Sequence, residues 1–147
     1  MVWKPNVTVA SVIERDGRFL CVEEETDRGL MINQPAGHLE DGESLITAVI
    51  RETLEETAWQ FYPTALIGIY RWRQQDKHLT FLRFAFTGDL IEFDDNRSLD
   101  NGIVRTLWLN REELGQTQQR HRSPQVLRCV DDYLKGTRLP LDTLHDL

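Results

Sequence analysis

The stretch GHLEDGESLITAVIRETLEETAW, Gly37–Trp59, carries four glutamates, Glu43, Glu52, Glu55 and Glu56, at spacings that a helix gathers on one surface. At ~100° per residue, Glu52 and Glu56 stand one turn apart with Glu55 beside them. The opposite side carries Ile46, Val49, Ile50, Thr53 and Thr57, a stripe with the i, i+3, i+4, i+7 periodicity of a helix packed on a sheet. Arg51 stands one turn before Glu55 and two turns after Glu43, so one guanidinium could brace both carboxylates. The spacing predicts a helix with one face for burial and another for cations.

A glutamate-rich helix face is by default solvated surface. On an exposed helix, the Glu52/Glu56 repulsion costs only ~0.2–0.5 kcal/mol. In a cleft, two carboxylates ~6 Å apart at an effective dielectric of ~20 repel by ~3 kcal/mol. Three of them there require a cation or proton uptake. Spacing alone leaves both readings open.

Gly37, five residues, Glu43, seven residues, Arg51-Glu52 and then Glu55-Glu56 together resemble the signature box of the Nudix hydrolases. Six fixed positions at ~1/15 usage each match by chance on the order of once in ten million. Two positions depart from the pattern of that family. Thr53 stands where an aliphatic residue is usual, with roughly the shape of Val. Ala58 replaces the glycine that follows the helix, where a left-handed residue without glycine costs ~1 kcal/mol. The helix therefore ends either with that strain or in another geometry, with Trp59 packed beneath it.

The resemblance implies an α/β fold, a Nudix-type α/β/α sandwich with a mixed sheet, over one domain of residues 1–147. It implies Glu52, Glu55, Glu56 and the backbone carbonyl of Ala36 as ligands of Mg2+ or Mn2+, and Arg51 and Glu43 as the residues that hold them. Further blocks carry the likeness: Trp3-Lys4-Pro5 leading into Val7-Thr8-Val9-Ala10, Gln34–Glu40, Phe81–Phe84 and Arg122-Ser123-Pro124. These look like a bacterial phosphatase branch of the family, which releases orthophosphate from nucleoside tri- and diphosphates and from hydroxymethylpyrimidine diphosphate. Two alternatives remain. One is a pyrophosphohydrolase of ADP-ribose, dinucleoside polyphosphates or oxidised nucleotides. The other is a non-catalytic nucleotide-sensing domain.

Composition agrees with an enzyme of small molecules. The chain has 147 residues, 40% hydrophobic and 28% charged, enough for a real core. A net charge of −7 argues against a nucleic acid polymer as partner. The expected partner is a small phosphorylated metabolite, with no membrane, in a cytoplasmic monomer or homodimer. Cys21 and Cys129 form no CxxC pair and read as buried thiols of a reducing compartment.

Outside the box, Val7–Ile13 and Phe19–Val22 are β-rich and predict a hairpin around Arg15–Arg18. Glu23-Glu24-Glu25 reads as a solvated strand end. Ala65–Arg73 and Leu79–Leu90 predict two strands, with Phe81, Arg83 and Ala85 on one face of the second. Trp72, Phe81 and Arg83 could stack on a base and meet a phosphate, or simply pack the sheet. Glu92, Asp94, Asp95 and Asp100 offer carboxylates outside the box, or decorate a solvated loop. Val104–Leu109 predicts a last strand, and Ser123-Pro124 the start of a C-terminal amphipathic helix ended by Gly136.

Overall fold

The computed structural model describes residues 1–147. Strand β1 (Asn6–Ser11) lies inside a four-stranded sheet, between β5 (Ala36–His38), antiparallel to it, and β7 (Leu79–Phe93), parallel to it. The order is completed by β6 (Trp59–Gln74), antiparallel to β7. A second sheet is built on β3 (Arg18–Thr26), with β2 (Glu14–Arg15), β4 (Gly29–Asn33) and β8 (Ile103–Asn110) all antiparallel to it. The three helices are α1 (Leu45–Thr57), the short α2 (Arg111–Gln116) and α3 (Gln125–Leu134). The mixed sheet with helices packed on it is the expected α/β class. The strands, however, fall into two sheets.

The predicted hairpin forms, but not from the first strand. Val12 N–H still bonds the Phe86 carbonyl in the first sheet, whereas the Ile13 carbonyl accepts from Leu20 in the second. The chain changes sheets between these two residues. The hairpin is then made by β2 and the start of β3, around Asp16 and Gly17 at φ 52° and 78°. Two consecutive positive φ angles match the right-handed twist of the flanking strands.

Two buried clusters flank the strands. Val9, Leu20, Ala48, Val49, Leu66 and Phe86 join α1 to the first sheet. Val12, Cys21, Ile32, Ile67, Cys129 and Val130 lie on the α3 side. Complete burial of a side chain such as Val49 contributes ~1.5–3 kcal/mol. β6 and β7 run longer than the sequence predicts. Pro63, which lacks an N–H, is tolerated in β6 beside a register shift, opposite Gly88.

Ser44 caps α1, its hydroxyl accepting from the Thr47 N–H. Glu43 thus precedes the helix instead of standing on it. At the other end Ala58 takes the left-handed conformation, φ 64° and ψ 12°, and its N–H bonds the Leu54 carbonyl. The strained exit is the one realised. Trp59 packs at the edge of the α1 cluster and against Phe93, 5.2 Å between ring centroids. No helix is long and apolar enough to cross a membrane.

Candidate active site

Pairing of β1 with β5 orients the peptide groups that face the glutamate helix. Ala36 pairs with Ala10, Gly37 with Val9 and His38 with Thr8, and Leu39 and Ser11 donate to the carbonyls of Val7 and Pro35. Along such a ladder every second residue turns its N–H and C=O away from the partner strand. Ala36 and His38 are those residues. The Ala36 N–H meets Glu56 Oε1 at 3.0 Å, and the His38 carbonyl accepts from Arg51 Nη2 at 3.0 Å. The Ala36 carbonyl points to the same side as its N–H, toward the glutamates.

Gly37, between them, lets a side chain cross the strand. A Cβ built there would overlap the Glu52 carboxyl group. Glu52 and Glu56, both buried, therefore reach the wall of a cleft of about 410 Å³ from a helix that packs on the other face of the sheet. Arg51 braces the array. Its Nε and Nη2 bond the two Glu43 oxygens at 3.0 and 2.7 Å, and Nη1 bonds Glu52 at 2.8 Å and Glu55 at 2.9 Å.

Burial pushes the Glu56 carboxyl up to about 9; the Ala36 N–H opposes this, and the charges of Glu24, Glu52 and Asp100 add to it. Burial also raises Glu52, against the hydrogen bond and charge of Arg51. The site thus holds more carboxylates than one guanidinium offsets. Its donors are all hard oxygens, which suits a small divalent cation. No three His, Cys, Asp or Glu side chains stand close enough together to hold a metal ion by themselves. An ion held here would complete its shell with water and substrate oxygens, as Mg2+ commonly does.

The floor of the cleft crosses all four strands of the first sheet, through Gly37, Thr8, Arg83 and Trp72. Trp72 and Phe81, paired on β6 and β7, stack with centroids 5.8 Å apart and planes at 23°. The structure brings Ala36, Glu52, Glu56, Trp72, Phe81 and Arg83 to one cleft. Glu55 does not line it and faces Arg51. Among the loop carboxylates, Asp100 approaches: its N–H bonds the Glu55 carbonyl, and its charge bears on Glu52 and Glu56. Glu92, Asp94 and Asp95 are exposed and stand away from the cleft.

The acidic run is not a solvated strand end. β3 continues to Thr26, Glu23 is buried against Arg105 and Arg120, and Glu24 lines the cleft 3.3 Å from Arg122. Asn33 and Gln125 are further polar residues lining the cleft that the sequence pattern leaves unmarked. Arg122 and Ser123 both line the cleft, while the Ser123 hydroxyl also accepts from the Gln125 N–H where α3 begins.

Comparison with known proteins points one way. A family model described as the NUDIX domain matches residues 2–129. Phosphatase NudJ of Escherichia coli K12 is 39% identical over 145 residues, spanning 99% of this chain and 94% of that protein. NudJ of Shigella flexneri matches to the same extent. A solved NUDIX hydrolase from Nitrosomonas europaea superposes with a TM-score of 0.95 at 50% identity, over 98% of both chains. The Escherichia coli ORF135 protein shares the fold, with a TM-score of 0.69 at 19% identity.

Proposed function

The chain belongs to the Nudix family and is a hydrolase of phosphorus-containing acid anhydrides; from that premise we propose that it is a divalent-metal-dependent phosphatase of small phosphorylated metabolites. Its substrates are nucleoside tri- and diphosphates and hydroxymethylpyrimidine diphosphate, and it releases orthophosphate. The observation that carries this reading is the burial of Glu52 and Glu56 at a cleft with one neighbouring guanidinium to offset them.

Glu52, Glu55, Glu56 and the Ala36 carbonyl would hold Mg2+ or Mn2+. Bound there, the ion would offset phosphate charge and make the attacking water more acidic. Arg51 and Glu43 fix the carboxylates before substrate arrives, which lowers the reorganisation needed in the reaction. A carboxylate of the array orients the attacking water and accepts its proton. The water oxygen bonds to phosphorus, and the bridging P–O bond breaks with its electron pair on the departing oxygen. Trp72 and Phe81 offer an aromatic surface for a base or pyrimidine ring.

The test is divalent-dependent phosphate release across a panel of nucleotides and hydroxymethylpyrimidine diphosphate. Glu56→Gln should lower turnover by orders of magnitude with the melting temperature retained. Near-normal turnover of Glu56→Gln at saturating magnesium would remove the metal assignment. Pyrophosphate and a nucleoside monophosphate as wild-type products would replace the phosphatase reading with a pyrophosphohydrolase one.

A further inference from the structure

Arg83 is 4% exposed, on the floor of the cleft, and no carboxylate pairs with it. Its Nη1 donates to Gln34 Oε1 at 2.7 Å and its Nη2 to Asn33 Oδ1 at 2.9 Å, both neutral amides. Its Nε has no hydrogen-bond partner. The remaining neighbour, Cys129 Sγ at 4.0 Å, is a buried thiol that burial keeps protonated, so it supplies no counter-charge. Glu24, the acidic residue of the second sheet that lines the cleft, is taken by Arg122 at 3.3 Å. Leaving a buried charge unpaired is costly. The fold nevertheless fixes this one: the Gln34 amide that receives Arg83 is itself buried and donates to the Val126 carbonyl at 2.7 Å, tying the guanidinium to α3.

Its position in the cleft is defined by the strand order. Thr8 pairs with His38 on one side and Arg83 on the other, so the Arg83 backbone stands two strand spacings, ~10 Å, from that of β5. Phe81 lies two residues before Arg83 on the same strand, and Trp72, stacked on it, lies one strand further out. The cleft therefore presents, in order, carboxylates, an uncompensated cation and an aromatic surface.

We infer that Arg83 is a specificity-determining residue: it anchors the phosphate next to the terminal one, so that the terminal anhydride lies at the glutamates and orthophosphate is the product. This rests on the hydrolase reading above and assigns which bond that site cleaves. Water attacks the terminal phosphorus, the bond from that phosphorus to the bridging oxygen breaks, and the phosphate on Arg83 keeps the bridging oxygen and its electron pair. With the anchor removed, a triphosphate can slide inward by one phosphate and present its internal anhydride. A diphosphate has one anhydride and can only bind more weakly.

Two measurements on Arg83→Met and Arg83→Lys test this. In the first, products from a nucleoside triphosphate are resolved by phosphorus NMR. Arg83→Met should lower the orthophosphate-to-pyrophosphate ratio roughly 10-fold, and lower kcat/KM on the matching diphosphate roughly 10–100-fold through KM. In the second, melting temperatures are recorded in EDTA with and without inorganic pyrophosphate. Pyrophosphate should stabilise the wild type, stabilise Arg83→Lys less, and leave Arg83→Met unmoved, while Arg83→Met alone melts no lower than the wild type. An unchanged product ratio, or equal stabilisation of wild type and Arg83→Met by pyrophosphate, overturns the assignment. Should the wild type hydrolyse nothing, the function above fails, and the metal-free pyrophosphate shift alone decides for or against the anchor. Should Arg83→Met not fold, Arg83→Lys decides by both readouts, a wild-type response in either one overturning the assignment.

Discussion

Ser11 Oγ lies 2.9 Å from Thr53 Oγ1, and neither residue is exposed. Thr53 donates its own proton to the Val49 carbonyl at 2.7 Å, so it is the acceptor in the pair and Ser11 the donor. The threonine that breaks the aliphatic pattern of the box therefore does more than fill the volume of a valine. It joins β1 to α1 through a buried hydrogen bond.

Thr53→Val should destabilise by ~1–3 kcal/mol, because the Ser11 hydroxyl is left buried without an acceptor. Ser11→Ala should cost less, since Thr53 keeps Val49. The double variant should lie within about 1 kcal/mol of the wild type, both polar groups having gone together. Urea denaturation of the four proteins gives the coupling energy directly. Additive losses in the double variant would show that the pair contributes nothing as a pair.

Arg51 is the single cation among Glu40, Glu43, Glu52 and Glu55. Arg51→Met leaves those carboxylates facing one another, at a cost of ~1–3 kcal/mol after allowance for their partial exposure. Divalent cations should relieve part of that loss. The melting temperature of Arg51→Met should rise more on adding magnesium than that of the wild type, both after EDTA treatment. A smaller rise in the variant would mean that the carboxylates are not the cation-binding set.

Legibility in the sequence follows the distance between partners. Glu52, Glu55, Glu56 and Arg51 share one helix, so their spacing states their geometry. Glu23 has its partners 82 and 97 residues away, at Arg105 and Arg120, and no local pattern distinguishes it from a solvated end. Arg83 is similar. Alternation places it with Phe81 on one face, but its clamps, Asn33 and Gln34, lie 50 and 49 residues earlier. The change of sheets at Val12 and Ile13 depends on Phe86 and Leu20 in the same way. Periodicity identifies strands, and pairing between distant strands decides the sheet to which each belongs.

Glu23 carries a pH dependence. Burial alone would raise its carboxyl, but the hydrogen bonds and charges of Arg120 and Arg105 together outweigh this and hold it below the usual carboxylate range. A folded pKa below the unfolded value of ~4.3 stabilises fully above that pH and is lost as pH falls through the folded value. The wild type should therefore lose stability below about pH 4, with Glu43, held low by Arg51, contributing in the same direction. Glu23→Gln should be less stable at pH 7 and show a shallower decline in acid. Melting temperatures from pH 7 to pH 3 provide the comparison, and parallel curves would contradict it.

Gly37 offers a way to disturb the proposed metal-binding face without touching a carboxylate. Its φ is not in the left-handed region, so the backbone itself accepts alanine, and the conflict is confined to the Glu52 carboxyl group that a Cβ would overlap. Gly37→Ala should keep the fold and melt within a few degrees of the wild type, because only one side-chain end must move. Catalysis is less tolerant, since a displacement of ~1 Å in a positioned group can cost about 100-fold. Turnover should fall by roughly that factor, and the magnesium concentration for half-maximal rate should rise. The two measurements together locate the effect: lost turnover with unchanged magnesium dependence would place Glu52 outside the metal's coordination, whereas a shift in both ties its carboxylate to the ion.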